Sequence, residues 1–162
     1  MVDLKRVEQF FFDAMIHGYA AGIKGTPVPN MPGYKQIVFR DDDFLLVDQW
    51  GTTPHSSKSA GTTKIWSQDV PVWFMSYGGE YPDHLIPFLR LAIRSAYESH
   101  QFFGGRGPRI FNNGIPFPEK EDSLLYVNQI HVNGFGRFSG YECINSHAKR
   151  HIGYHTYWGM SF

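Results

Sequence analysis

The chain has 162 residues, 42% of them hydrophobic and 17% aromatic, and its 15 basic and 15 acidic side chains cancel to no net charge. That length suits one domain with its own core, and a balanced charge leaves no overall field to gather phosphate backbones, so no nucleic-acid partner is expected. The single cysteine, Cys143, excludes an intrachain disulfide and fits a reducing cytoplasm, while a charged start and an apolar run broken by Asp13 and His17 argue against a signal peptide or a membrane span.

Along residues 4–19, Val7, Phe10, Phe11, Met15 and Ile16 recur at three- and four-residue steps, which predicts an amphipathic helix ended by Gly18 and Gly22. Residues 20–33 hold three glycines and three prolines and read as an irregular loop. Strands over 34–40 and 44–50 flank the turn Asp41-Asp42-Asp43, residues 51–61 read as a mobile loop, and strands over 62–67 and 70–77 flank Gln68-Asp69. Leu85, Ile86, Phe88, Leu89, Ala92, Ile93 and Ala96 predict a second helix running to about His100, with Asp83 as its N-cap and Pro87 in its first turn. After a connection containing Gly104-Gly105-Arg106-Gly107-Pro108, three strands fill residues 124–162. The expected fold is a single α+β domain over residues 1–162: a twisted, mainly antiparallel sheet of about seven strands with two principal helices packed on one face, in the order α-β4-α-β3.

In the last three strands Asn133-Gly134 is a strong hairpin signal, because a type I′ turn needs positive φ at both central positions. A two-residue turn there sets Val132 opposite Phe135, Leu125 opposite Glu142 and Tyr126 opposite Tyr141. One face then carries Tyr126, Phe135, Tyr141, Cys143, Trp158 and Met160 and is expected to lie on the helices. The opposite face carries Gly140, Glu142, Gly153, His155 and Tyr157, where the glycines leave hollows for a small molecule or a sharp twist.

His147, His151 and His155 suggest a metal cluster, but residues four apart on a strand lie about 13 Å from each other, so no metal is expected. Glu142 alternates with Phe138 and Ile144, and Asp48 with Leu46 and Trp50; both carboxylates are expected to be partly buried and to need a cation such as Arg106 or Arg137. Arg106, flanked by glycines, suits an ordinary ion pair or an anionic ligand. Neither a Walker-type loop nor a Gly-x-Ser-x-Gly elbow occurs, and no cofactor is expected. Trp73 and Tyr77 read first as core and second as stacking surfaces, and Cys143 as filler.

Tyr19-Ala20-x-Gly22, the 43–51 strand, Pro71-Val72-Trp73-x-Met75-x-Tyr77-Gly78-Gly79, Arg106-Gly107-Pro108 and Phe138-x-Gly140-x-Glu142-x-Ile144 together resemble an uncharacterised bacterial domain family. That family occurs alone or fused behind a repressor-type helix-turn-helix. The resemblance implies ligand sensing or dimerisation; the acidic residue that members often carry near Thr63 is absent from this sequence, which weakens an acid-based mechanism.

The sequence thus favours a non-catalytic small-molecule binding or sensing domain, with Glu142, His155, Asp48, Arg106, Trp73, Tyr77 and Tyr157 as candidate ligand-binding residues. One alternative is a hydrolase-like enzyme using Asp48 and Glu142, whose carboxyl groups would have to converge within about 10 Å. Another is a homodimer or protein-interaction module built on exposed C-terminal aromatics.

Overall fold

Aromatic alternation and two amphipathic stripes produce one antiparallel sheet and two α-helices in the computed structural model, which describes residues 2–162. In chain order the elements are α1 (Leu4–His17), β1 (Thr26–Pro27), β2 (Tyr34–Asp41), β3 (Phe44–Thr53), β4 (Ser56–Ser67), β5 (Val70–Glu80), α2 (Ile86–Glu98), β6 (Ile110–Asn112), β7 (Leu124–Val132), β8 (Arg137–Ser146) and β9 (Gly153–Ser161). The sheet order is β1-β2-β3-β4-β5-β9-β8-β7-β6. Nine strands replace the expected seven, because Thr26–Pro27 pairs with β2 and Ile110–Asn112 with β7 inside stretches that read as loop. Both additions are short edge strands, a form that limits edge-to-edge association. No helix among the described residues is long and apolar enough to cross a membrane.

The Asp3 side chain caps α1 by accepting from the Lys5 amide at 2.9 Å, and Gly18 closes the helix. Its buried stripe lays Phe11 against Trp73 of β5 and Phe10 against Phe44 of β3, at ring separations of 5.1 Å each. Tyr97 of α2 meets the same Phe11 ring edge-on at 5.7 Å. Burying rings of this size contributes about 1.5–3 kcal/mol each. Asp83 does not cap α2; it opens a short 3₁₀ turn, Asp83–Leu85, and Pro87 falls in the first turn of the helix as the sequence predicts.

Residues 51–61 are a correction: β3 and β4 run on as a long hairpin, with Gly51 opposite Ala60 and Thr52 opposite Ser59. The small residues that suggested a loop are instead seats for rings. A Cβ on Gly51 would meet Tyr34 at 2.8 Å, and one on Gly61 would meet Tyr77 at 2.6 Å. Gln68 and Asp69 both take positive φ, 49° and 65°, as a tight hairpin between β4 and β5 requires.

The turn between β7 and β8 departs from expectation in the way that matters most. Asn133 and Gly134 are not at positive φ; the Arg137 amide bonds the Gly134 carbonyl at 2.9 Å in a longer turn, with a register shift at Ile130/Val132. Phe135 is the cause. Its ring stacks on Trp73 at 5.2 Å and its carbonyl accepts from Trp73 Nε1 at 2.9 Å, so burial of this segment overrides the local turn preference. Glu142 consequently faces Asn128 rather than Leu125, and Tyr126 faces Ile144 rather than Tyr141. An odd shift of three residues turns every β7 side chain to the other side of the sheet.

The two faces are also inverted relative to expectation. Phe138, Gly140, Glu142, Gly153, His155 and Tyr157 do share a side, but that side is buried, while Trp158 and Met160 on the other are 52% and 42% exposed. The glycine hollows are filled from within: Tyr157 lies over Gly140, Phe138 over Gly159, and Tyr81 over Gly153.

A candidate ligand-binding cleft

Strand pairing assembles the polar residues into cross-strand rows on the buried face. One row runs Asp48, Thr63, Met75, Gly159, Phe138; another runs Thr52, Ser59, Gly79, His155, Glu142, Asn128. Residues paired in this way stand about 4.5–5.5 Å apart at Cβ, so positions as distant in sequence as Met75 and Gly159 become neighbours. At the end of this face, between β3–β5, β9, α2 and the segment 19–25, lies a cleft of about 1140 Å³.

Asp48, Arg106, Tyr77 and His155, four of the candidate residues, line the cleft. Glu142, Trp73 and Tyr157 are not among its lining residues. Trp73 is fully buried among Phe11, Phe135 and Phe138, and Tyr157 is buried with its hydroxyl donating to Asn128 Oδ1 at 2.6 Å. Glu142 is fully buried behind Arg106, which donates to its Oε1 from Nε at 3.1 Å and from a terminal nitrogen at 2.5 Å. Tyr126 donates to the other oxygen at 2.5 Å. The carboxylate is thereby occupied on both sides.

The loop that delivers Arg106 owes its path to local backbone geometry. Gly104 and Gly105 both sit in the left-handed region, at φ 69° and 71°, and pack so closely that a Cβ on Gly105 would meet Met75 Sδ at 2.9 Å. Side chains then clamp it: Tyr97 donates to the Gly105 carbonyl at 2.8 Å, Asn128 to the Phe103 and Gly107 carbonyls at 3.0 and 2.8 Å, and the Gly107 amide donates to Tyr126 at 3.0 Å. Burial alone would lower the Arg106 pKa, but the Glu142 charge and its hydrogen bonds reverse the sign and hold the guanidinium charged.

Asp48 accepts from Thr63 and Tyr77, each at 2.9 Å and both on Oδ1, and the Tyr77 ring lies 5.3 Å beneath the Arg106 guanidinium. Burial raises the Asp48 pKa, against the pull of these two donors and Arg106. His155 stands between Ser59, 3.3 Å from Nε2, and Arg106, 3.4 Å from Nδ1. Since a guanidinium only donates, Nδ1 is the acceptor and the ring proton sits on Nε2. Burial, and then the Arg106 charge, depress the His155 pKa to about 4, although Glu142 Oε1 lies 3.6 Å away and works the other way.

Tyr81 is the residue that sequence reading missed. Its ring meets His155 edge-on at 4.8 Å and is 3% exposed, it lines the cleft, and its hydroxyl has no hydrogen-bond partner. Burial and the nearby Glu142 raise its pKa, so the group remains a neutral donor. Buried Arg90 Nε on the same cleft is likewise without a partner. Nothing local marks Tyr81, which follows the strand-ending Gly78-Gly79-Glu80; Asn128 had one signal, an amide in a strand where such residues are depleted. The histidines disperse: His147 Nδ1 bonds the Pro118 carbonyl, and His151 bonds Tyr141 at 2.9 Å.

Scanned against protein-family models, curated proteins and solved structures, the chain returns no match.

Proposed function

We propose that this protein is a non-catalytic domain that binds or senses a small molecule in the cleft bordered by Asp48, Tyr77, Arg106 and His155. The observation that carries this reading is the cleft itself, lined by Tyr81, a buried side chain whose hydroxyl has no partner. An unpaired buried hydroxyl costs about 1–3 kcal/mol, a cost that a bound acceptor removes. The volume of about 1140 Å³ is somewhat larger than the range for small-molecule sites, roughly 300–1,000 Å³. The resemblance to domains fused to helix-turn-helix modules points in the same direction.

A two-carboxylate hydrolase is less well supported. Glu142 is fully buried off the cleft lining, and Arg106 and Tyr126 take three of its roughly four acceptor sites, so it is not presented to a substrate. A second reading, self-association through the outer sheet face, rests on Trp158, Met160 and Phe162, exposed by 52%, 42% and 71%. Light scattering across a concentration series tests it.

A thermal-shift screen of metabolites tests the main reading. We expect a compound that raises Tm in the wild type and loses its effect in Thr52→Trp, a bulky change at an exposed cleft position. A panel without such a compound, or a shift that survives the substitution, removes the cleft as the site.

A further inference from the structure

The charges around the cleft differ from those of the chain as a whole. The 162 residues carry no net charge. Lys24, Lys35, Lys58 and Arg90 line the cleft, and none has an ion-pair partner among the described residues. The acidic lining is Asp48 and Asp83. Asp48 is buried and already accepts two hydrogen bonds, and the remaining lining cation, Arg106, is neutralised by Glu142. Asp83 is exposed and is the other acidic group set against those four cations, so the lining carries a positive excess, and a concave surface with such an excess concentrates ligands of the opposite sign.

Arg90 is built to hold a fixed position. Its guanidinium lies 4.7 Å over the Tyr19 ring, which sits edge-on to Trp50 at 6.0 Å, and its buried Nε has no acceptor. A guanidinium held over an aromatic face is restricted in its motion, and its planar fork of donors matches a carboxylate or phosphate in bidentate fashion. Tyr19 and Trp50 also line the cleft and offer aromatic surface beside the charge.

We infer that the ligand is a small ring-bearing organic oxyanion, its carboxylate or phosphate held by Arg90 with the lysines of the rim, its ring against Trp50 and Tyr19, and the Tyr81 hydroxyl as an uncharged donor on the same wall. This rests on the cleft being a binding site and adds the sign and class of the ligand. Asp48 then acts against a negative group placed deep in the cleft, so the anion belongs beside Arg90 on α2.

The test compares phenyl phosphate, phenylacetate and 2-phenylethanol, titrated into the full chain and followed by amide NMR shifts at low and high salt. At least one of the two anions is expected to bind ten-fold or more tightly than the alcohol and to weaken as salt is raised, and the better of the two identifies phosphate or carboxylate. Arg90→Gln is expected to lose that preference, and Lys58→Gln, at an exposed rim position, to reduce it by a few-fold without affecting folding. Equal binding of the alcohol, or an anion preference untouched in Arg90→Gln, overturns the anion assignment while the cleft remains a binding site. Binding of none of the three overturns both.

Discussion

Two polar groups on the buried side of this sheet use the same kinds of side chain to opposite ends. Around Glu142 every strong group is matched: Arg106 and Tyr126 satisfy the carboxylate, and Asn128 clamps the loop that carries Arg106. Two residues that line the cleft, Tyr81 and Arg90, keep donors with nothing to bond. A saturated network holds backbone in place, and an unsaturated donor carries a cost that a new acceptor would remove. Sequence reading gave Glu142 and Arg106 to the ligand and passed over Tyr81 and Arg90; the structure separates the two groups.

The largest expected effect tests the structural half. Glu142→Gln leaves the Arg106 charge buried without its counter-ion and should cost about 3–5 kcal/mol in urea denaturation. Replacing Arg106 and Glu142 together with Met should recover much of that loss, and a double-mutant cycle showing no coupling would mean that the pair is not the unit described here.

Next in size is a pH effect at His155, which faces Arg106 on its loop, Glu142 on β8, and Tyr77 and Tyr81 from β5 and beyond. Its pKa falls from 6.5 to about 4 on folding, so the unfolded chain takes up the proton first and stability drops as pH is lowered through that interval, by about 3 kcal/mol in all. Asp48 has the opposite sign: its raised pKa adds stability at acid pH that is lost as pH climbs above 3.8. The His155 contribution is therefore read as the difference between wild type and His155→Gln across pH, and parallel curves would contradict it.

Gly140→Ala is expected to cost about 1–3 kcal/mol, because its methyl group would collide with the Tyr157 ring and stand 2.7 Å from the Gln129 carbonyl. The smallest stability change belongs to Tyr81→Phe. Loss of an unpaired hydroxyl should leave the unfolding free energy within about 1 kcal/mol, or raise it, while weakening any compound that binds the cleft. A clear loss of stability instead would show that the hydroxyl is already satisfied, and would return Tyr81 to the structural group.

Strand parity within β8 and β9 was readable, since alternation is a property of the extended chain. So were α1, α2, the Gln68-Asp69 turn and the Arg106 partner for Glu142. What failed shares a cause. The glycines at 51, 61, 140 and 153 looked like loops or hollows because a sequence shows which atoms a residue lacks but not which neighbouring ring occupies the space. The Asn133-Gly134 turn failed because Phe135 gains more from Trp73 and Phe102 than the turn loses, and that gain is invisible from flanking residues.

By itself, then, the order of residues determined the local periodicities: two helical stripes, the alternation that sets Glu142 with His155, and carboxylates that demand partners. Only the tertiary structure decided which side of the sheet the helices cover, the three-residue register that brings Tyr126 and Asn128 to Glu142, and the cleft where Tyr81 and Arg90 are left unpaired. The physical reason is range: backbone periodicity and hydrogen-bond capacity belong to short segments, whereas burial and saturation depend on groups that meet only when the chain has closed on itself.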